Sequence, residues 1–425
     1  MTHIVQLFLL IAFLVAASKT AGHLSTRIGQ PAVFGEILVG LILGPSVLDI
    51  LGWSLFAPAG AAGGHPGLGA VVHDLAEIGV VLLMFVAGME TDLDEMRRVG
   101  RVAFWAAVGG VVLPLASGAW TAHLFGYDWT AGFFMGAVLT ATSVSISAQT
   151  LMELGSLRSK EGSTILGAAV IDDVLGIIVL SIVVAFAPTG TAGAAGSLWA
   201  SVGTIVLRMA VFFAAAWFLG RRLFEPALAL VSRLRVSTPV LAFVVVTALV
   251  YAWGAEHLGG VAAITGSYLA GVLFARTTHG RAILAAIEPL TYSLFVPVFF
   301  VNIGLQADVA KLGGHLSLTV FVLLVAILGK VIGCGAAAAL AGFTPRESYR
   351  VGVGMISRGE VGLIVAGYGL AHGIIGQDIF SVMVLMVLVT TMVTPVWLRF
   401  VFPRGPAGPP AILSESVAHL ESENR

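Results

Sequence analysis

Runs of about twenty apolar residues follow one another along almost the whole chain, and each is long enough for an α-helix to cross about 30 Å of hydrocarbon. These runs are at 4–26, 31–51, 70–92, 101–125, 129–153, 162–188, 198–222, 237–258, 260–276, 287–307, 316–342, 347–372 and 380–402. Of the 425 residues, 58% are hydrophobic and only 11% are charged, whereas about 25% are charged in soluble domains. The chain is therefore predicted to be an all-α polytopic membrane protein with about thirteen transmembrane helices.

The remaining composition excludes several classes of protein. The single cysteine, Cys334, allows neither a disulfide framework nor a cysteine metal site. The net charge of −1, without a basic patch or a glycine-rich phosphate loop, predicts no nucleic-acid partner and no nucleotide cofactor. The N-terminus lacks a basic region before its apolar run, so we expect a first spanning helix and not a signal peptide. The polar segment 403–425 is expected to be a disordered cytoplasmic tail.

Basic residues predict the orientation in the cell membrane, because Lys and Arg accumulate on the cytoplasmic side. If the N-terminus lies outside, the inner loops and tail hold Arg27, Arg97, Arg98, Arg101, Arg158, Lys160, Arg221, Arg222, Arg233, Arg235, Arg276, Arg281, Arg346, Arg350, Arg399, Arg404 and Arg425. The outer loops then hold only Lys311. This asymmetry predicts an N-terminus outside, a cytoplasmic C-terminus and an odd number of crossings.

Two pairs of segments indicate an internal repeat. PAVFGEILVGLILG (31–44) resembles AAITGSYLAGVLFA (262–275), and MFVAGMETDL (84–93) resembles FVNIGLQADV (300–309). Both pairs are seven predicted helices apart. Because this offset is odd, the two copies would cross the membrane in opposite directions, as in the inverted repeats of secondary transporters.

The same offset pairs predicted helix 5 with predicted helix 12, and both have sequences typical of interrupted helices. Helix 5 carries the hydroxyl residues Thr140, Thr142, Ser143, Ser145 and Ser147. Helix 12 carries Gly352, Gly354 and Gly359, with Arg358 and Glu360 beside the last of them. We expect two broken helices that cross at mid-membrane, where unwound backbone can bind an ion. Arg358 and Glu360 would stabilise the second break or line the inner funnel; the simpler alternative for the small residues is close helix packing.

Two adjacent acids, Asp172 and Asp173, lie near the middle of the apolar run 162–188. Because a carboxylate at that depth costs about 2.5–3.5 kcal/mol, such a pair indicates an ion or proton site. The two side chains are about 100° apart around the helix. One should therefore face the broken helices and bind a cation, while the other needs a compensating partner. Lys330 is the only lysine placed at mid-membrane in the second half of the chain, and the alternative for it is snorkelling to an interface.

Four motifs together resemble the cation:proton antiporter-2 family, most closely its NapA-type Na+/H+ antiporters. They are ATSVSISAQTLMELG, LGAAVIDDVLG, AILGKVIG and GVGMISRGEVGLIVAG. The resemblance implies that Asp173 is the main ion and proton carrier and that Asp172 is the partner of Lys330. It also implies that Na+ binds at Asp173 together with Thr142 and Ser143 at the break in helix 5. The transported ions would be Na+ or Li+ and H+, with no resident cofactor.

The resemblance further implies an NhaA/NapA-like fold in two parts. Helices 1–3 and 8–10 (1–93 and 237–308) would form a dimerisation or panel domain. Helices 4–6 and 11–13 (101–188 and 314–402) would form a core that moves like an elevator, and helix 7 (196–222) would link the two. The implied protein is a lipid-embedded homodimer and an electrogenic transporter, with two protons entering for each sodium ion that leaves.

Some alternatives remain open from the sequence. Ser145 and the pair Ile356-Ser357 replace residues that are common in relatives. Because they lie at the helix breaks, they leave the selectivity between Na+, Li+ and K+ open, and exchange of K+ for H+ is the main alternative. An intramembrane aspartyl protease also uses two aspartates, but on separate helices and with a motif that this chain lacks. A sodium/solute symporter would not need a buried lysine, and a sensor that does not transport is a further possibility.

Overall fold

The computed structural model of the protein describes residues 3–28, 30–53, 55–56, 67–91, 93–185, 195–306, 316–371 and 373–402. Within these ranges the chain forms the α-helices α1 (His3–Arg27), α2 (Ala32–Leu43), α3 (Leu68–Glu90), α4 (Leu93–Leu124), α5 (Trp129–Thr140), α6 (Val144–Glu153), α7 (Lys160–Ala185), α8 (Ala195–Val231), α9 (Pro239–Gly254), α10 (Ala263–Ala275), α11 (Gly280–Leu290), α12 (Val296–Leu305), α13 (Leu316–Leu340), α14 (Pro345–Gly354), α15 (Glu360–Ala371) and α16 (Gln377–Val401). π-Helical segments at Ala255–Gly259 and Thr291–Phe295 extend α9 and join α11 to α12. The predicted tail, 403–425, and Lys311 lie outside the described residues.

The all-helical prediction is confirmed, and every predicted apolar run contains helix. In the described part of the chain, nine helical stretches are long and apolar enough to cross a membrane. Four predicted boundaries are wrong by seven residues or more. α2 ends at Leu43 and not at 51, and α4 begins at Leu93 and not at 101. The run predicted at 198–222 is the longer helix α8, and the run predicted from 287 begins at Gly280. α11 carries Arg281 and Glu288 on a helix whose other face is apolar, so a search for continuous apolar residues finds its start too late.

The two matched pairs of segments make equivalent contacts in the structure. α2 packs against α12, and α3 packs against α10. Gly40 of α2 lies against the backbone of α12, and Gly271, its counterpart in α10, lies against the backbone of α3. The facing helices contribute glycines of their own: Gly88 of α3 lies against the backbone of α10, and Gly304 of α12 lies against the backbone of α2. A Cβ atom at any of these glycines would overlap the facing backbone, so the repeated glycines allow the close approach.

A second group of helices packs around α4 and α13. These two helices approach through Gly109 and Gly333, each of which lies against the carbonyl oxygen of the other. α5 and α7 pack on α4, while α14 and α16 pack on α13. Two of the predicted crossings are interrupted: α5 and α6 are separated by 141–143, and α14 and α15 by 355–359. The interruptions lie in the middle of this group of helices.

Candidate functional site

The two interruptions contact each other directly. The backbone N–H of Ser143 donates a hydrogen bond to the carbonyl oxygen of Ser357 at 2.9 Å. The Ser357 hydroxyl donates in return to the carbonyl oxygen of Ser143 at 2.6 Å. Ser147 of α6 donates its hydroxyl proton to the carbonyl oxygen of Gly354 at 2.6 Å. Backbone groups that the broken helices leave without helical partners are thus satisfied across the crossing, as they must be in a water-poor interior.

A buried arginine stabilises the second interruption. The side chain of Arg358 is fully buried, and its guanidinium donates to the carbonyl oxygens of Met355, at 3.3 Å, and of Ile356. It also donates to the carbonyl oxygen of Ala326 in α13 at 3.1 Å. These first two carbonyls lie just after the C-terminus of α14, where unpaired acceptors and the helix dipole favour a positive charge. The side chain of Glu360, predicted to act beside Arg358, lies outside the described residues.

One of the two adjacent acids is paired with the buried lysine. The ammonium of Lys330 lies 3.0 Å from Oδ1 and 3.2 Å from Oδ2 of Asp172. Both side chains are almost completely excluded from solvent, with relative exposures of 0% for Lys330 and 2% for Asp172. The two charges therefore compensate each other where neither could be left alone.

The second acid lies in a different environment. Asp173 is only partly buried, and its Oδ2 accepts a hydrogen bond from the hydroxyl of Thr265 in α10 at 3.0 Å. It lines a cavity of about 60 Å³ together with Asp172, Thr140, Ala141 and other residues of α5, α7 and α15. A second, smaller space of about 10 Å³ borders Asp173 from the side of Met84 and Val170. Asp173 therefore lies between two spaces, of which the larger can hold several water molecules.

The predicted helix-break residues lie close to this cavity but not in its wall. The Thr142 hydroxyl donates to the carbonyl oxygen of Thr140 at 3.4 Å. The Ser143 hydroxyl pairs with that of Ser145 at 3.0 Å. From this break the cavity wall takes Thr140 and Ala141 instead. Thr140 was not among the predicted ligands, although it begins the hydroxyl-rich stretch, which is the signal that the sequence offers for it.

The comparisons with known proteins identify the family. Residues 9–403 match the family model described as "Sodium/hydrogen exchanger, transmembrane". The chain belongs to this family. It is 36% identical to the Na(+)/H(+)-K(+) antiporter GerN of Bacillus cereus over 397 residues, which are 93% of this chain and 96% of GerN. It is 33% identical to a Na(+)/H(+) antiporter of Enterococcus hirae over 394 residues, which are 92% of this chain and 97% of that protein.

A solved structure shows the same fold. The sodium proton antiporter MjNhaP1 from Methanocaldococcus jannaschii superimposes with a TM-score of 0.67 at 14% sequence identity. The match covers 94% of this chain and 98% of that protein. The predicted resemblance to cation/proton antiporters is thus confirmed at the level of family, and this exchanger is a multi-pass membrane protein.

The exchanger's buried charges balance within the described residues of the site. Lys330 and Arg358 are the two buried cations, and Asp172 and Asp173 are the two acids. Lys330 is committed to Asp172, and Arg358 is committed to backbone carbonyls. Both acids line the cavity, which has no cationic side chain among its lining residues, and Asp173 is the one of the two that is not committed to Lys330. Such a carboxylate is suited to take up a small cation or a proton.

Proposed function

We propose that this exchanger moves Na+ or Li+ in one direction and H+ in the other, and that both use Asp173. Curated relatives that match almost their whole length carry Na+/H+ antiporter in their names. The observation that carries the assignment to Asp173 is a difference between the two acids: both border the cavity, but Asp172 is buried and bound to Lys330, whereas Asp173 is only partly buried. Because a carboxylate holds either a cation or a proton, the two substrates compete for it.

In the loaded state we place Na+ at Asp173, with oxygen ligands from Thr142 and Ser143. In the structure their hydroxyls form hydrogen bonds within the break, to Thr140 and Ser145. A bound ion would replace these bonds. Thr142 and Ser143 directly follow Ala141, which lines the cavity. Glu360, at the start of α15, stays a candidate for support at the second break together with Arg358.

We assign the coupling of protons to Asp172 and Lys330. If Na+ binding separates this pair, Lys330 is left beside a substrate cation, and a buried ammonium without a partner gives up its proton. Together with the proton that Na+ displaces from Asp173, two protons would then cross for each sodium ion, which makes the exchange electrogenic. The contact of 3.0 Å supports this assignment, because Asp172 is the direct counter-charge of Lys330 and its loss would leave the ammonium unpaired.

For the architecture we propose thirteen crossings, with the N-terminus outside and the C-terminus in the cytoplasm. A panel domain (1–93 and 237–308) would form the contact of a homodimer. A core domain (101–188 and 314–402) would slide against it like an elevator, and the helix predicted at 196–222 would link them. α2 and α3 pack much more extensively on α12 and α10 than on α6 and α16 of the other group, which supports this division.

Exchange of K+ for H+ is the second candidate. It is favoured by one relative, GerN, whose name includes K+. A cation-specific flux measurement separates the two candidates, since the site geometry described above suits any small monovalent cation.

The structure argues against two of the three alternatives from other classes, the symporter and the protease. Pockets for drug-sized ligands measure about 300–1,000 Å³, whereas the cavity at Asp173 measures about 60 Å³, which suits an ion or a few water molecules better than an organic solute. An aspartyl protease needs two carboxylates that act on one water molecule. Asp172 and Asp173 have separate partners, Lys330 and Thr265, so they do not form such a pair.

The test is ion flux in proteoliposomes under an imposed pH gradient, with Na+, Li+ and K+ added in turn. We expect Na+ and Li+ to drive proton release, and Asp173→Asn to reduce it to the level of protein-free vesicles. The matched control is Asp128→Asn, because Asp128 caps α5 at Thr130 and asparagine caps a helix equally well. Wild-type flux in folded Asp173→Asn protein would refute the assignment, and flux with K+ alone would favour the second candidate.

A further inference from the structure

A hydrogen bond joins the proposed core to the proposed panel at the carrier acid itself. The Thr265 hydroxyl, on α10, donates to Oδ2 of Asp173, on α7, at 3.0 Å. Thr265 is 4% exposed, so water does not easily replace it. α7 belongs to the proposed core, whereas α10 belongs to the proposed panel. Any sliding of one against the other must break this bond.

The position of Thr265 follows from the length of α10. This helix has 13 residues and is about 20 Å long, which is shorter than the hydrocarbon thickness of about 30 Å. It starts after a tight turn in which Gly260 has a φ of +69°, and Ala262, just before it, lines the same cavity as Asp173. The first turn of α10 therefore lies at the depth of the carboxylate. A helix N-terminus and a hydroxyl both favour a negative charge there.

We propose that Thr265 is a positioning residue for exchange: its hydroxyl anchors the unloaded Asp173 carboxylate to the panel and holds the core in place until a substrate binds. This inference rests on the proposed function. Coupled exchange requires that the core does not cross without a substrate, because an empty return would turn exchange into leak. A hydrogen bond to a charged acceptor is stronger than one to a neutral group. Substrate on the carboxylate compensates its charge, weakens this bond and lets the core move.

A second hydroxyl on α10 provides the matched control. Ser267 is fully buried and donates to the carbonyl oxygen of Val81 in α3 at 2.7 Å. This bond joins two helices of the panel and does not reach α7. Thr265 and Ser267 thus offer buried hydroxyl bonds on the same helix, and only the bond of Thr265 crosses to the proposed core.

The experiment compares wild type, Thr265→Val, Thr265→Ser and Ser267→Ala in proteoliposomes. Two rates are measured. The first is the collapse of a pH gradient without Na+, in choline thiocyanate, whose permeant anion compensates the charge that the protons carry. The second is the exchange of labelled for unlabelled Na+. Only the first rate requires the unloaded core to cross. We expect Thr265→Val to raise the leak roughly ten-fold or more, the factor that corresponds to a hydrogen bond to a charged group, while sodium self-exchange stays at the wild-type rate. Thr265→Ser and Ser267→Ala should both behave as wild type.

Two results would overturn the anchor role. A Thr265→Val protein that exchanges Na+ normally and holds the pH gradient as well as wild type has no need of the bond. A folded Thr265→Val protein that has also lost sodium self-exchange would make Thr265 a substrate ligand instead. Absence of all exchange in the wild type would instead refute the proposed function, and that result is separate from both.

Discussion

At the scale of single residues, the two neighbouring acids of α7 have different partners. Moving two charges out of water costs several kcal/mol each, and only close contact between them repays that cost. The ammonium of Lys330 lies 3.0 and 3.2 Å from the two carboxylate oxygens of Asp172, so the two charges are in the close contact that is required. Removing either partner leaves an uncompensated charge in a site with almost no solvent, whereas removing both does not.

We therefore predict that Lys330→Met and Asp172→Asn each lower the stability by roughly 3–5 kcal/mol, and that the double variant loses much less than their sum. Thermal unfolding in detergent measures this. Lys330→Ala should in addition change the number of protons exchanged per sodium ion, measured from the potential at which flux reverses. Single variants that unfold like wild type would contradict the energetic argument, and an unchanged stoichiometry would contradict the role of Lys330 in proton coupling.

At the scale of elements, the crossing of the two broken helices depends on the absence of a side chain at Gly359. A Cβ atom added there would lie 2.6 Å from the hydroxyl oxygen and 2.7 Å from the Cβ atom of Ser143. Both distances are well below van der Waals contact. Since Ser143 also donates its backbone N–H across the crossing, displacing it would open the contact between the breaks.

We predict that Gly359→Ala destabilises the protein by about 1–3 kcal/mol, the usual range for overpacking. The control is Gly367→Ala on α15, the helix that follows the break, because an added Cβ there has no atom within 4 Å; it should be neutral or slightly stabilising, since alanine favours helix. Adding Ser143→Gly to Gly359→Ala removes both close atoms and should restore most of the lost stability. If thermal unfolding shows no such recovery, the clash is not the cause.

At the scale of the whole molecule, the two sides of Asp173 differ. In the proposed orientation, the cavity of about 60 Å³ extends toward the outer half of α7, where Leu180 lines it. The space on the inner side measures about 10 Å³. Among the described residues, two of the links that join the proposed core to the panel at the inner face use charged side chains. Glu153 accepts a hydrogen bond from the backbone N–H of Ala32 at 2.7 Å, and Arg158 donates to the carbonyl oxygen of Glu90 at 3.0 Å.

We predict that Glu153→Ala combined with Arg158→Gln shifts the protein away from this arrangement, in which the larger space lies on the outer side of Asp173. Exposed links of this kind contribute about 0.5–1.5 kcal/mol each, so the shift should be several-fold. The measurement is labelling of Leu180→Cys, in a Cys334→Ser background, by a membrane-impermeant maleimide added outside; labelling should slow.

The control for this measurement is Arg350→Gln. Arg350 contacts Glu161 at 2.6 Å and joins α14 to α7 inside the proposed core, so labelling should not change. Equal slowing in both variants would mean that the effect is general loosening. Unchanged labelling in the double variant would mean that the inner links do not hold this state.

Much of the fold was predictable from the sequence because each membrane helix can be recognised from the hydrophobicity of its own segment. An apolar run of about twenty residues has few alternatives in lipid, and each predicted run contains helix. The breaks were predictable from the hydroxyls near Ser143 and the glycines near Gly359. The start of α11 was not, because its apolar residues occupy one face only.

Hydrophobicity and charge are properties of each segment alone, so the amino-acid sequence was enough to predict a polytopic helical protein with adjacent acids and one lysine inside apolar segments. The family resemblance implied the pair of Asp172 and Lys330, but the contact of Asp173 with Thr265 is a property of the folded molecule. The two acids are about 100° apart on one helix, and the rotation of that helix is set by how α4, α5 and α14 pack around it. That packing joins residues far apart in the chain, such as Thr265 and Asp173, and nothing local in either segment records it.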